Sequence, residues 1–326
     1  MNKLIQNSCL QVGILFCFLA STVLAEQNQV LHSQSVVPVD RWQISVSVGI
    51  GKKSNPLFDG DDLPLLIIPS VYYYGERFYF DNGDIGYSFY EDNHFSLTAV
   101  ARLNEEYAHF IDGHPANFLV ATTVGVSVAP ETEVPLDAVP AVPSTGDGMT
   151  DDGGDPQPSQ PEQPSFGPDQ REVKFHRKNL ADKKWSVDAG LQFYYFVNQQ
   201  NRLRLRYLTD VSSVHSGSNV NIEYSYLWQQ NNWAVRNSIG ADWLSSEVSQ
   251  YYYGIGQRDT QQQQYWYHPS ASWLPYLRIN PNYKINDAWK AVFLLEYQSL
   301  SKALKNSPVV EDNARTTLFF GVNYAF

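Results

Sequence analysis

Over residues 314–326, hydrophobic and polar positions alternate strictly. Leu318, Phe320, Val322, Tyr324 and Phe326 share one parity, and Arg315, Thr317, Gly321 and Asn323 share the other. A period of two puts each set on one face of a β-strand. The pattern recurs along the chain. Trp42, Ile44, Val46, Val48 and Ile50 oppose Gln43, Ser45 and Ser47, while Leu203, Leu205 and Tyr207 oppose Arg202, Arg204 and Arg206. Twelve strands are predicted, beginning near residues 42, 63, 77, 85, 94, 185, 202, 220, 233, 273, 289 and 314. Asn82-Gly83, between the third and fourth, is a strong two-residue hairpin signal.

The connections fall into two sets. Short turns are predicted at 75–76, 91–93, 199–201, 229–232 and 285–287. The alternate set holds all the long loops, at 51–62, 105–184, 245–270 and 301–313. Short turns on one side, long loops on the other and an even strand number describe an all-β, antiparallel up-and-down barrel that spans a membrane. A soluble sheet is the competing reading. It would have to bury the row Arg202, Arg204, Arg206, whereas a barrel turns that row to a wet lumen and the apolar row to lipid. Aromatic clusters at 72–74, 193–196, 251–253 and 265–267 are expected as interfacial girdles.

Composition adds a compartment. The chain is 14% aromatic, with 21 Tyr and 2 Met, and has no run of 18 apolar residues to form a membrane helix. A closed barrel can cross without one, since closure satisfies every backbone group. Lys3, the apolar run 12–19 and Val23-Leu24-Ala25 read as a cleavable export signal over 1–25. Residues 26–40 then form a periplasmic leader, and 41–326 the barrel. Cys9 and Cys17 are the two cysteines; both lie in the removed segment, so no thiol chemistry is expected.

The net charge of −11 belongs to one insertion. Thirteen acidic residues stand against Arg171 alone between 105 and 172, and nine of the 18 prolines fall in 130–168. Residues 105–184 are therefore expected as a disordered, acidic Pro/Gly-rich extracellular loop, with 116–128 as a possible β extension.

Residues 63–90 (LPLLIIPSVYYYGERFYFDNGDIGYSFY), 251–256 (YYYGIG) and 300–326, where Ser307-Pro308 precedes the closing strand, resemble the MipA/OmpV family. The resemblance covers the mature chain outside the insertion. It implies an outer-membrane barrel of a Gram-negative bacterium. It also implies a scaffold that brings a murein lytic transglycosylase together with a peptidoglycan synthase, and it carries no catalytic motif. The acidic insertion departs from the family's compact loop.

By parity, Arg102, Arg202, Arg204, Arg206, Arg236, Arg278, Lys290 and Arg315 point into the lumen, as do Asp188, Asp210, Glu223, Asp242 and Glu296. These charges either interlock as a plug or line a narrow pore for small solutes with a slight anionic preference. Glu223 is expected beside Arg204 or Arg206 on the preceding strand. The terminal row Leu318, Phe320, Val322, Tyr324 and Phe326 is expected to face lipid and to serve recognition by the barrel-assembly machinery. A more distant reading, a lipid hydrolase, takes His268 as general base for Ser270 with Asn280 or Asn282 as orienter. Asp147, Asp151, Asp152 and Asp155 could offer oxygens to a hard cation, but their spacing fits a solvated linker better. Neither a cofactor nor nucleic acid is expected. The predicted function is a non-enzymatic outer-membrane scaffold or surface protein, with the channel as its alternative.

Overall fold

A computed structural model describes residues 40–119 and 174–326. The signal, nearly all of the leader, residues 120–128 of the suggested β extension and the aspartates at 147–155 lie outside the described residues. The strands are β1 (Trp42–Lys53), β2 (Leu63–Tyr74), β3 (Phe78–Asp81), β4 (Asp84–Glu91), β5 (Phe95–Leu103), β6 (Val187–Phe196), β7 (Asn201–Asp210), β8 (Ser218–Gln230), β9 (Trp233–Leu244), β10 (Ser272–Lys284), β11 (Trp289–Ser299) and β12 (Ala314–Ala325). Each pairs antiparallel with its neighbours in sequence, and β1 pairs with β12 to close the barrel. No helix among the described residues is long and apolar enough to cross a membrane, so the crossing is made by strands.

The alternation sorts as a barrel requires. Ile44, Val48 and Ile50 are exposed on the outer wall, whereas Ser45 and Ser47 are buried inside. At the short-turn end the outward aromatics stand directly opposite one another on neighbouring strands. Trp42 faces Tyr73, Trp233 faces Tyr283, and Trp289 faces Tyr324, with ring centroids 4.9–5.1 Å apart. Such a belt holds amphipathic rings at the level of lipid headgroups.

Two features interrupt the regular wall. β3 has only four residues because Asn82 (φ 46°) and Gly83 (φ 101°) both adopt positive φ in the tight hairpin turn. Asn82 then caps β2 at Val71, accepting the Val71 N–H through its side chain and donating its own N–H to the Val71 carbonyl. Pro69, lacking an N–H, sits beyond this point, opposite Val46 of β1 but past the end of the β2–β3 pairing, so no β3 residue faces it. At the closing seam the inward Phe319 is wholly buried and lies over Gly49, Gly51 and Gly321. With Leu65, Ile68, Val292 and Leu294 it makes a small apolar cluster inside the lumen.

The long loops carry structure that the sequence pattern did not announce. Among the described residues they contain the helices α1 (Pro115–Phe118), α2 (Ser246–Tyr253) and α3 (Lys302–Lys305), with 3-10 turns at Glu105–His109, Arg177–Asn179 and Gln263–Tyr265. Residues 116–118, expected in a β extension, are thus helical. Apolar side chains of the long loops pack with the strand ends into a second core, built around Leu57, Val248, Tyr252, Leu274, Leu304 and Val309. Tyr252 and Tyr253, expected in a membrane girdle, are completely buried there. Loop folding offers these rings dry packing, which a tyrosine takes as readily as a lipid interface.

Candidate functional site

Strands β7 to β11 present their polar parity to the lumen, and register decides which groups meet. Arg204 on β7 stands directly opposite Glu223 on β8. The Glu223 carboxylate is nearly inaccessible to solvent, and its Oε2 accepts from three donors: Arg204 Nη2 at 3.1 Å, Tyr276 OH at 2.8 Å and Arg278 Nη1 at 3.2 Å. Arg278 also donates from Nε to Glu296 at 2.5 Å. A buried carboxylate in this position needs such saturation, because an unpaired buried charge costs several kcal/mol.

The chain of contacts continues across the barrel. Arg204 Nε donates to Asn221 at 3.1 Å, and Asn221 donates to Asp242 at 2.7 Å. Gln298 donates to the other oxygen of Asp242 at 2.7 Å and accepts from Arg315 at 3.1 Å. Arg315 grips Glu106 with both terminal nitrogens, at 3.0 and 2.5 Å, and Tyr253 of α2 donates to the same carboxylate. One hydrogen-bonded path therefore runs from Glu296 in the wall to the folded loops.

A second group centres on Asp84. Arg206 Nη2 lies 2.8 Å from Asp84 Oδ2, and Arg102 Nε lies 3.2 Å from Oδ1. Arg206 also donates to Gln192 at 2.7 Å. Because Arg206 is on β7 and Asp84 on β4, this pair reaches across the two intervening strands, β5 and β6. Arg102 also pairs with Glu105. The adjacent residues Glu105 and Glu106 thus tie the 3-10 turn to both groups. Lys53, at the end of β1, holds α1 through the Ala116 carbonyl at 2.8 Å and Asn117 Oδ1 at 3.2 Å. The segment 104–119 is fastened over the lumen from several walls.

The remaining inward charges lie elsewhere. Arg202 and Arg236 both donate to Ser225 Oγ, at 3.0 and 3.4 Å, and Arg202 also stacks over Tyr194. Lys290 lies opposite Lys284 and Asn323, near the short-turn end. Asp188 and Asp210 belong to a loop latch and do not join the arginine groups. Asp210 accepts the backbone N–H groups of Ser212, Val214, His215 and Ser216 at 2.6–2.9 Å. His215 Nδ1 accepts the Gly217 N–H at 3.0 Å, so Nε2 carries the proton donated to Asp188 at 3.1 Å. Asp188, Asp210 and His215 converge closely enough to suggest a metal. Their lone pairs are already committed to donors, which identifies a structural latch.

Asp84, Asn221, Gln298, Glu106 and Tyr253 complete the lumen groups and are not among the charges that parity assigns to the lumen; Tyr253 is expected in a girdle instead. Asp84 follows the Asn-Gly turn and reads as a turn residue. Glu106 opens the acidic insertion and reads as part of it. Asn221 shares the inward parity of Glu223, but an uncharged amide on a lumen face carries no signal of its own. The hydrolase reading finds no assembled dyad: His268 Nδ1 bonds Gln250 Oε1 at 3.0 Å, and no hydrogen bond joins it to Ser270 among the described residues. Asn280 and Asn282 bond one another instead, at 2.7 Å.

Outside the membrane-spanning strands, burial dominates the titration of the cap. It presses the His114 imidazole down to about 4 and His109 well below its usual range, with Lys53 adding repulsion at both. Burial and neighbouring Glu106 push the Tyr253 phenol well up despite Arg315.

The family model described as "MltA-interacting protein MipA" matches residues 41–326. The MltA-interacting protein of Escherichia coli (strain K12) is 27% identical over 150 residues, which is 46% of this chain and 60% of that protein. The match therefore spans less than two thirds of that relative's length. Outer membrane protein Omp26La of Vibrio anguillarum is 22% identical over 149 residues, 46% of this chain and 58% of its own. Among solved structures, a FadL homologue of Pseudomonas aeruginosa covers 87% of this chain and 76% of its own at 11% identity, with a TM-score of 0.33. At that level no functional detail carries over.

Proposed function

This chain belongs to the MltA-interacting protein MipA family of outer-membrane barrels, and we propose that it works as a non-conducting scaffold. Its short turns face the periplasm and offer a docking rim to a murein lytic transglycosylase, which the resemblance pairs with a peptidoglycan synthase. Its long loops face outward. The observation that carries this reading is the lumen itself. Glu223 gathers Arg204, Arg278 and Tyr276, Asp84 gathers Arg206 and Arg102, and the loop turn carrying Glu105 and Glu106 is clasped above them. A solute path would need water around these charges, yet they are spent on one another. A scaffold needs a rigid, sealed body, and interlocked charges supply it. No residue constellation among those described supports hydrolysis, and the family indicates no enzyme.

The test is single-channel conductance of the refolded barrel in a planar bilayer, beside an Arg204→Ser, Arg206→Ser variant. The expected result is a silent wild type and a variant that conducts. Reproducible open steps in the wild type, with selectivity altered in the variant, would favour the narrow solute channel. The scaffold role is tested separately by capture of a murein lytic transglycosylase on the immobilised barrel. Failure of capture from a correctly folded barrel would remove it.

A further inference from the structure

The Gln-rich stretch 257–264 takes no part in the lumen, yet it builds one wall of an open cleft of about 580 Å3 among the long loops. That volume is in the usual range for small-ligand sites, roughly 300–1,000 Å3. The opposite wall is residues 174–179, where the chain re-enters the described structure. Tyr265, half-buried, supplies the aromatic surface and packs on the buried Phe175 behind it, with ring centroids 5.5 Å apart. Asn179 and Gln262 supply exposed amides, and Lys174 an ammonium at the lip.

The cleft is held open by bonds that leave its recognition groups available. Asp259 joins the two walls: its Oδ1 accepts the Ala181 N–H at 2.9 Å and its Oδ2 the Gly256 N–H at 2.8 Å. That carboxylate is a strut whose charge is partly spent on backbone donors. Trp266 Nε1 donates to the Thr260 carbonyl at 2.9 Å and fixes the far wall. Lys174 Nζ meets only neutral partners among the described residues. It donates to the Val310 carbonyl at 3.2 Å and lies over the Phe58 ring at 5.7 Å, which leaves two N–H donors for a ligand. Lys178 and Arg258, each next in sequence to a lining residue, are exposed cations as well.

We propose that this cleft binds a phosphorylated sugar. The Tyr265 ring takes the apolar face of a pyranose, the two amides read its hydroxyls, and a lysine ammonium with open N–H donors holds a phosphate by charge-assisted hydrogen bonds. A neutral sugar leaves the cation unused, and an inorganic anion leaves the aromatic and amide walls unused. The ligand is either soluble or the phosphorylated saccharide of an outer-leaflet glycolipid, which the long loops would meet on the outward orientation proposed above.

The full chain, refolded in detergent, is titrated calorimetrically with glucose 6-phosphate and with glucose. Wild type, Lys174→Gln and Asn179→Ala/Gln262→Ala are compared, with heat-modifiable gel migration confirming that each barrel is folded. Saturable binding of the sugar phosphate is expected, weakened about tenfold by the loss of one charge-assisted bond in Lys174→Gln. The amide variant is expected to weaken glucose and glucose 6-phosphate alike. Equal affinity for the two sugars, an unchanged Lys174→Gln, or no saturable binding would each overturn the proposal. Vesicles carrying lipopolysaccharide separate the two sources. Binding to them that glucose 6-phosphate competes away assigns the glycolipid. Sugar-phosphate binding that is indifferent to the vesicles assigns a soluble ligand.

Discussion

Glu223 shows what the lumen asks of a single side chain. Its carboxylate is dry, and two guanidiniums and a phenol share one oxygen. Glu223→Ala leaves Arg204 and Arg278 without this counter-charge, so a loss of roughly 3–5 kcal/mol is expected. Glu223→Gln keeps an acceptor for Tyr276 and should cost less. Urea unfolding followed by heat-modifiable migration separates the two, and equal costs would mean that charge is not what Glu223 supplies. His114 gives a pH-dependent counterpart outside the membrane. It is 1% exposed, stacks on Trp185 with centroids 5.1 Å apart, and meets Tyr107 edge-on. Glu105 favours its charged form, but burial prevails and Lys53 and Arg102 reinforce it. A base whose folded pKa lies near 4, below its unfolded 6.5, contributes stability in full above pH 6.5. That contribution is lost as the pH falls toward 4, and its ceiling is about 3 kcal/mol. Near-UV circular dichroism of the loops should therefore show a melt that weakens over this window. The dependence should be shallower in His114→Gln, and an unchanged slope would assign it to His109.

At the scale of elements, the seam between β1 and β12 is set by glycine and one aromatic. A Cβ on Gly321 would stand 2.4 Å from the Val48 carbonyl oxygen and 2.9 Å from the Phe319 ring. Gly321→Ala must therefore push the two closing strands apart, at about 1–3 kcal/mol by overpacking. Because the nearest obstacle is backbone, truncating the ring in Gly321→Ala/Phe319→Ala should not restore stability; recovery in the same urea assay would show that the ring was the obstacle. The strands themselves were legible because alternation is periodic and each outward row is apolar. Register brought Arg204 to Glu223 as parity and adjacency implied. Partners that are neighbours through the lumen, such as Arg206 and Asp84, depend on barrel curvature and leave no trace in local spacing. The loop helices were missed for a different reason. α2 has only eight residues, too few for a hydrophobic period to stand out, and its tyrosines suit a girdle equally well. One signal was present: Ser245 caps the helix by accepting the Val248 N–H, with Glu247 in the first turn.

For the whole molecule, the question is whether the loop cap or the lumen network closes the barrel. The two share residues, since Glu105 and Glu106 belong to the cap while their partners Arg102 and Arg315 belong to the wall. If the network is the seal and the cap only narrows the mouth above it, loosening the cap alone leaves the seal in place. Lys53→Ala/Glu106→Ala frees α1 and the Arg315 clasp but leaves Glu223 and Asp84 with their arginines. That variant should stay electrically silent while its long loops become more sensitive to protease. Arg204→Ser/Arg206→Ser opens the network beneath an intact cap and should conduct in small steps, because a folded loop still covers the mouth. Combining the four substitutions should give steps larger than the sum of the two separate effects, the signature of coupled rather than independent barriers. Additive conductances would instead show that cap and network obstruct separate routes. A cap variant that conducts fully on its own would place the seal in the loops and reduce the lumen charges to a framework.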